Sequence, residues 1–289
     1  MKDYSPQKRF FVGIDSDGCV FDTMELKHKE CFIPPFINAY NLQGVSKYAR
    51  EAAEFVNLYS KSRGINRFPA LVEQLDWLRR RPEVQARGVS VPRPQGVIDW
   101  IAQESKLGNP ALEKAVQATG DPDLKQALRW SQEVNDTVAK MVRGVPPFPN
   151  VKNCLERLGR DSDLIVASAT PNAALQAEWE EHDLAKLVRA ICGQDAGNKQ
   201  EILAVAAQYQ PNHALMIGDA PGDHKAAVAN HCLFFPINPG NEEASWHRLL
   251  NEGIEKFFAG TFVGAYQERL LAEFNEYLPA TPAWSVDSK

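Results

Sequence analysis

The chain has 289 residues, of which 44% are hydrophobic and 24% charged, with a formal net charge of −5. That length suggests one large domain or about two ordinary ones, and the balance is that of a globular protein in water. A negative balance gives no support for nucleic acid or an anionic membrane as partner, and no apolar run approaches the ~20 residues that span a bilayer.

Arg9 to Thr23 reads RFFVGIDSDGCVFDT. Phe10 to Ile14 is a compact apolar run of the kind that makes a buried strand. It is too short for a signal peptide, and aspartates follow it at once. Side chains two apart on a strand point to the same side, so Asp15 and Asp17 can face one site at its tip. Gly18 then permits a sharp turn. Two unpaired carboxylates buried there would cost several kcal/mol, so a cation is their natural partner. The cysteines (Cys19, Cys31, Cys154, Cys192 and Cys232) are odd in number and form no C-x-x-C pair. Reduced thiols and a cytoplasmic location are expected.

Residues 23 to 147 carry no strand pattern and several helical stretches. Phe68 to Arg81 has Leu71, Leu75 and Leu78 at helical spacing and stops at Pro82. Asp121 reads as an N-cap with Pro122 in the first helical position. Leu124, Leu128, Val134, Val138 and Met141 then run a stripe down a long helix. This section is expected to be a helical domain, 23–147, inserted after the first strand. Within it, Ser60 to Arg67 (SKSRGINR) is the densest cationic stretch, and Gly64 and Pro69 argue for a loop there. Arg63 and Arg67 are candidate substrate-binding residues, each able to pair with a second anionic group.

From Val151 helix and strand alternate. Leu155 and Leu158 belong to a helix, and Asp163 to Ala167 to a strand. Thr170, as N-cap, and Pro171 open the next helix. A short strand near Val188 to Cys192 precedes a helix from about Lys199 to Tyr209. The strand Ala214 to Ile217 and a helix beginning near Pro221 follow. Alternation of this kind means a parallel sheet with crossover helices, the α/β class. The core is thus expected to be discontinuous, 1–22 and 148–289, with 241–289 a helical tail of unspecified placement.

Ligands of an open parallel sheet bind beyond the carboxyl ends of its strands. One strand ends in Ser168-Ala169-Thr170-Pro171, where the Ser168 hydroxyl and the N–H groups of the turn at Ala169 can receive an anion. Another ends in Gly218-Asp219-Ala220-Pro221-Gly222-Asp223 and brings two more acids to the same edge. A hard cation with oxygen ligands would balance them, and Asp223 also suits the first turn of a helix. Lys199, in the connection feeding the helix before that strand, supplies positive charge.

With Asp15-x-Asp17-Gly18, Ser168, Lys199 and Gly218-Asp219-x-x-x-Asp223 in that order, the chain resembles the haloacid dehalogenase superfamily of aspartate-nucleophile phosphohydrolases. The likeness spans about residues 10 to 235, and the insert falls where family members carry a helical cap. It implies a Rossmann-like core and a Mg²⁺-dependent phosphatase acting on a small phosphorylated metabolite through an aspartyl-phosphate. Asp15 would be the nucleophile and Asp17 the general acid, then base. Mg²⁺ would be held by Asp15, Asp219 and the carbonyl of Asp17, with Asp223 holding the ion or a bound water. Ser168, with Ala169 of its turn, and Lys199 would hold the other phosphoryl oxygens. Asp17 favours phosphate chemistry over dehalogenation, because a halide leaves without a proton. Cys19 stands where Thr is frequent in the family, and Gln200 follows Lys199 where Pro is. Three other functions are compatible with the pattern: a phosphomutase resembling β-phosphoglucomutase, a phosphonate-cleaving hydrolase, and a non-catalytic binding protein. The hydrolase would use a cap lysine, for which Lys27, Lys29, Lys47 and Lys61 are available. Neither the substrate nor the oligomeric state is specified by the sequence.

Overall fold

The structure is a computed structural model and describes residues 4–285. Strand β1 (Phe10–Ile14) comes first. Eight helices follow: α1 (Thr23–Leu26), α2 (Ile33–Ala39), α3 (Ser46–Leu58), α4 (Arg67–Arg80), α5 (Pro82–Ala86), α6 (Gln95–Gln103), α7 (Asn109–Thr119) and α8 (Pro122–Met141). Alternation then begins with α9 (Val151–Leu158), β2 (Ser162–Ala167), α10 (Asn172–Glu181), β3 (Ala190–Cys192), α11 (Lys199–Leu203), β4 (Ala214–Gly218), α12 (Pro221–Ala229) and β5 (Leu233–Pro236). Helices α13 (Glu242–Arg248), α14 (Ile254–Phe258) and α15 (Ala265–Tyr277) close the order. The chain divides into two compact units. One comprises the chain up to Met24 with Arg143–Leu278, and the other Glu25–Val142 with the segment that begins at Pro279.

The first unit is built on a parallel sheet of order β3-β2-β1-β4-β5. Every residue of β1 is buried, which is why its sequence is continuously apolar rather than alternating. Gly13 lets α11 pack close on this central strand, because a Cβ there would lie 2.4 Å from Leu203 Cδ2 and Leu203 would have to shift. From β1 the chain winds outward to β2 and β3, then returns across β1 to β4 and β5. The direction therefore reverses between β1 and β4, the switch point where doubly wound sheets bind ligands. The register aligns the tips, with Ile14 opposite both Val166 and Ile217.

The structure adds two features that the sequence reading left open and corrects one. Strand β5 was not anticipated, since LFFP is only four residues and runs straight into the loop-like sequence INPG. The tail has a definite place as far as Leu278. Trp246, Leu249, Ile254, Phe257 and Phe262 enter the core on one face of the sheet, and Phe274 and Leu278 that on the other. Trp246 also donates Nε1–H to the carbonyl of Cys19 at 2.7 Å. Thr170 is not an N-cap, because α10 starts at Asn172 with Pro171 in the capping position.

The second unit is all helical among its described residues. Phe36, Phe68, Leu71, Leu75, Leu78, Leu124 and Trp130 are buried in its core. Asn66 caps α4 through Phe68 N–H, and Asp121 caps α8 through the N–H groups of Asp123 and Leu124. The segment after Leu278 joins this unit. Lys61 N–H donates to Pro279 O at 3.3 Å, and the ring of Trp284 lies edge-on to Phe55. The Arg81 guanidinium sits 4.5 Å from the ring centroids of both Trp284 and Tyr48. No helix among the described residues is long and apolar enough to cross a membrane. All five cysteines are buried, and none is in a disulfide.

Candidate active site

The tip of β1 is shaped by a turn that folds back on itself. Ser16 O accepts from Val20 N–H at 2.8 Å, Gly18 N–H donates to Phe21 O at 2.8 Å, and Gly18 adopts φ +74°. Asp15 N–H still belongs to the sheet edge, donating to Ile217 O at 2.9 Å. The Asp15 carboxylate is buried, with Oδ1 accepting from Ser16 N–H at 2.8 Å. Ser16 is held in turn by the indole N–H of Trp179, 3.0 Å from its Oγ.

At the tip of β4, Gly218 makes room for a carboxylate. A Cβ at Gly218 would lie 2.5 Å from Asp223 Cβ and 2.5 Å from its Oδ2. Asp223 is wholly buried, and Oδ2 accepts the N–H groups of Asp219 (3.1 Å) and Ala220 (3.0 Å). Asp223 thus does the work of a first-turn helix acid with one oxygen, while Oδ1 takes Lys199 Nζ at 2.5 Å. Lys199 Nζ also lies 2.6 Å from Asp15 Oδ2. It is presented by the first residue of α11, whose start is fixed by reciprocal bonds between Asn198 and Glu201.

One carboxylate oxygen each from Asp15, Asp219 and Asp223 lies within 4.8 Å of the others, and all three residues are buried. Three carboxylates around one ammonium leave an excess of negative charge out of water. Burial, then the Asp223 charge, push the Asp15 carboxyl well above the usual range; Lys199 opposes them and Asp219 adds to them. Burial works against the charge on Lys199, yet Asp15 and Asp223 outweigh it and hold the ammonium protonated. An all-oxygen, buried and over-negative donor set suits a hard divalent cation such as Mg²⁺ and not a soft metal.

Asp17 stands apart from that group. It is half-buried, its Oδ1 accepts the Thr23 hydroxyl, and its Oδ2 accepts the Thr170 hydroxyl at 2.7 Å. Ser168 is buried at the tip of β2, its N–H donating to Cys192 O at 3.0 Å and its Oγ accepting from Thr170 N–H at 3.2 Å. Ala169, between them, is exposed. Thr23, Thr170 and Trp179 are the site residues that sequence reasoning missed. The available signal was a hydroxyl two places after Ser168, hidden by Pro171, which made Thr170 look like a cap. Cys19 is no nucleophile. Burial first, then the nearby carboxylates, push its thiol far up, and its Sγ rests 3.7 Å from Ile217 O.

The two arginines of the helical unit sit in different surroundings. Arg63 is 2% exposed, and its Nη1 donates to Leu58 O at 2.8 Å. Arg67 opens α4 rather than lying in a loop. Its Nη1 reaches Ser131 O (3.2 Å), Ser131 Oγ (3.0 Å) and Asn135 Oδ1 (2.7 Å) on α8, and the guanidinium lies 5.0 Å from the centroid of Phe32. Arg67 therefore ties α4 to α8.

No protein-family model matches the chain, and no curated protein does. Among solved structures, it is similar to a protein assigned as a phosphoglycolate phosphatase from Lactobacillus delbrueckii subsp. bulgaricus. There the identity is 14% over 86% of this chain and 98% of that one, with a TM-score of 0.47. A haloacid dehalogenase-like family hydrolase from Xanthomonas campestris is 11% identical over 89% of this chain and 95% of its own, with a TM-score of 0.46. A haloacid dehalogenase-like family hydrolase from Streptococcus pneumoniae is 14% identical over 86% and 98%, with a TM-score of 0.42. At these scores the chain's own sheet, turns and carboxylates carry the functional reading.

Proposed function

We propose that the chain is a Mg²⁺-dependent phosphatase of the haloacid dehalogenase superfamily that hydrolyses a small phosphate monoester through an aspartyl-phosphate. The observation that carries this is Lys199 bridging Asp15 and Asp223 within a buried group of three carboxylates, at the switch point of a parallel sheet. In such a site Asp15 attacks phosphorus and the bond to the leaving oxygen breaks. Asp17 gives that oxygen its proton. Water then attacks the phosphorus, Asp17 takes the proton released, and the bond to Asp15 breaks. Lys199, freed in part from Asp15, and Ser168 with the turn at Ala169 hold the phosphoryl oxygens. Mg²⁺, when held by Asp15, Asp219 and the Asp17 carbonyl, offsets charge on the phosphoryl group. Asp223, committed to Lys199 and to the turn, keeps these groups in place.

Lys29 is a poor candidate for the imine that a phosphonate-cleaving enzyme would need. Burial disfavours its charge, but Glu25 and Tyr59 bond the ammonium and hold it protonated, whereas an imine-forming lysine needs a free amine. Five cysteines outside any disulfide support a reducing, cytoplasmic setting.

The test is turnover of p-nitrophenyl phosphate with Mg²⁺, with and without excess chelator, together with acid-quench trapping of a phosphoenzyme. Activity is expected only with the metal, and Asp15→Asn should give neither turnover nor trapped phosphate. Full turnover in chelator, or a phosphoenzyme on Asp15→Asn, would overturn the reading.

A further inference from the structure

General acid–base work requires the Asp17 carboxyl to point at the leaving oxygen. Outside the four motifs, two hydroxyls fix its direction: Thr23 on Oδ1 and Thr170 on Oδ2. The Thr170 hydroxyl is not used by a helix, because α10 begins two residues later. The residue itself is held on both sides. Its N–H donates to Ser168 Oγ at 3.2 Å, and its carbonyl accepts Gln194 N–H at 3.0 Å.

The loop after β3 packs directly against this turn. A Cβ on Gly193 would fall 2.3 Å from Thr170 O and 2.4 Å from Asn172 Oδ1, and Asn172 Oδ1 accepts Gly193 N–H at 2.6 Å. Only glycine permits that approach. The same loop continues to Lys199, so one short segment sets both the cation beside Asp15 and the hydroxyl beside Asp17.

We propose that Thr170 is a positioning residue for the acid–base step: it holds the Asp17 carboxyl in the orientation from which the proton reaches the leaving oxygen. This rests on the phosphatase reading above. Of the two hydroxyls, Thr170 is the one delivered by a different strand, so it alone ties the direction of Asp17 to the tip of β2.

Thr170→Val keeps the branched shape and removes the donor, while Thr170→Ser keeps the donor. Both are compared with wild type on p-nitrophenyl phosphate, whose leaving group departs with little help from a proton, and on phenyl phosphate, which needs more. General acid catalysis contributes about 10²–10⁴, and misaiming the acid should forfeit part of that. Thr170→Val is expected to lose about tenfold or more in kcat on phenyl phosphate. Its single-turnover phosphorylation by p-nitrophenyl phosphate should stay within about threefold of wild type, with KM unchanged. Thr170→Ser should recover most of the loss. Equal losses on both substrates in the single-turnover phosphorylation step, a change in KM alone, or no recovery with Ser would overturn the proposal. Crystal structures of wild type and Thr170→Val give a readout free of activity: the Asp17 carboxyl should rotate in the variant, and an unmoved carboxyl would overturn it. If wild type turns over neither ester, the phosphatase reading fails on its own, and the orientation of Asp17 in the two crystals decides the positioning claim.

Discussion

Replacing Lys199 by Met tests the electrostatics of the site most directly. The Lys199 side chain is 21% exposed, and its ammonium lies 2.6 and 2.5 Å from Asp15 and Asp223 and offsets part of the charge on three buried carboxylates. Without it, carboxylate pairs at up to 4.8 Å repel by about 3–4 kcal/mol each at an effective dielectric of about 20. Protonation of Asp15, whose carboxyl is already pushed up, limits the total. The net loss should therefore match that for removing one partner of a buried ion pair, about 3–5 kcal/mol. At about 2–4 °C per kcal/mol for a unit of this size, the Tm should fall by about 6–20 °C at neutral pH. The deficit should shrink as the pH is lowered, because protonating Asp15 relieves the repulsion, and it should shrink with Mg²⁺, which replaces the missing charge. Calorimetry of wild type and Lys199→Met at several pH values and metal concentrations measures all three. A Tm within 2 °C of wild type at neutral pH without metal would mean that the carboxylates are not the unbalanced buried group described here.

Gly218→Ala puts a methyl group against the buried Asp223 side chain. Overpacking of this kind costs about 1–3 kcal/mol, and an ångström of displacement at Asp219 should lower kcat about 10²-fold; unchanged kinetics would show that the turn can yield. Asp163 lies at the opposite end of the sheet. Burial would raise its pKa, but the hydroxyl of Tyr209, the N–H groups of Gln7 and Lys8, and Arg189 lower it below the usual value. A depressed folded-state pKa gives stability that is present above the unfolded value and lost as the pH falls through the folded one. The advantage of wild type over Asp163→Asn in urea melts should therefore be full above about pH 4 and fall away as the pH drops below it, and a constant advantage would refute the assignment. Arg67→Ala should lower the Tm by releasing α8 from α4, without changing the ratio of kcat/KM between a natural ester and an aryl phosphate; a selective fall on the natural ester would make Arg67 a substrate ligand.

Much of the sheet was legible because buried parallel strands are continuously apolar, and FFVGI, SDLIVA and ALMIG all end at chemically conspicuous residues. β5 and the tail were not. LFFP is as apolar as the others but ends in Pro236, and Trp246 and Phe257 find their places only against a sheet that does not yet exist in a linear reading. Asp15, Asp219, Asp223 and Lys199 could be nominated one at a time from strand ends, yet the bridge that Lys199 makes depends on register. The specificity reading of Arg63 and Arg67 came from local charge density. Charge density does not reveal that the Arg67 guanidinium is satisfied by Ser131 and Asn135, more than sixty residues away.

Two aspartates two residues apart end in unlike surroundings, a difference that the proposed two-step phosphoryl transfer would use. Asp15 is enclosed with an ammonium and two further carboxylates, so any cation recruited to lower the repulsion also brings phosphate oxygens within reach of its own. Asp17 is left half-buried between two hydroxyls that orient it without neutralising it. At φ +74° Gly18 turns the chain sharply just after Asp17, and Asp17 lies outside the group of carboxylates that Asp15 forms with Asp219 and Asp223. A side chain at position 18 would strain that turn, and the first consequence would fall on the direction of Asp17 rather than on the sheet. On the phosphatase reading proposed above, the acid–base role of Asp17 draws on two hydroxyls outside the four motifs.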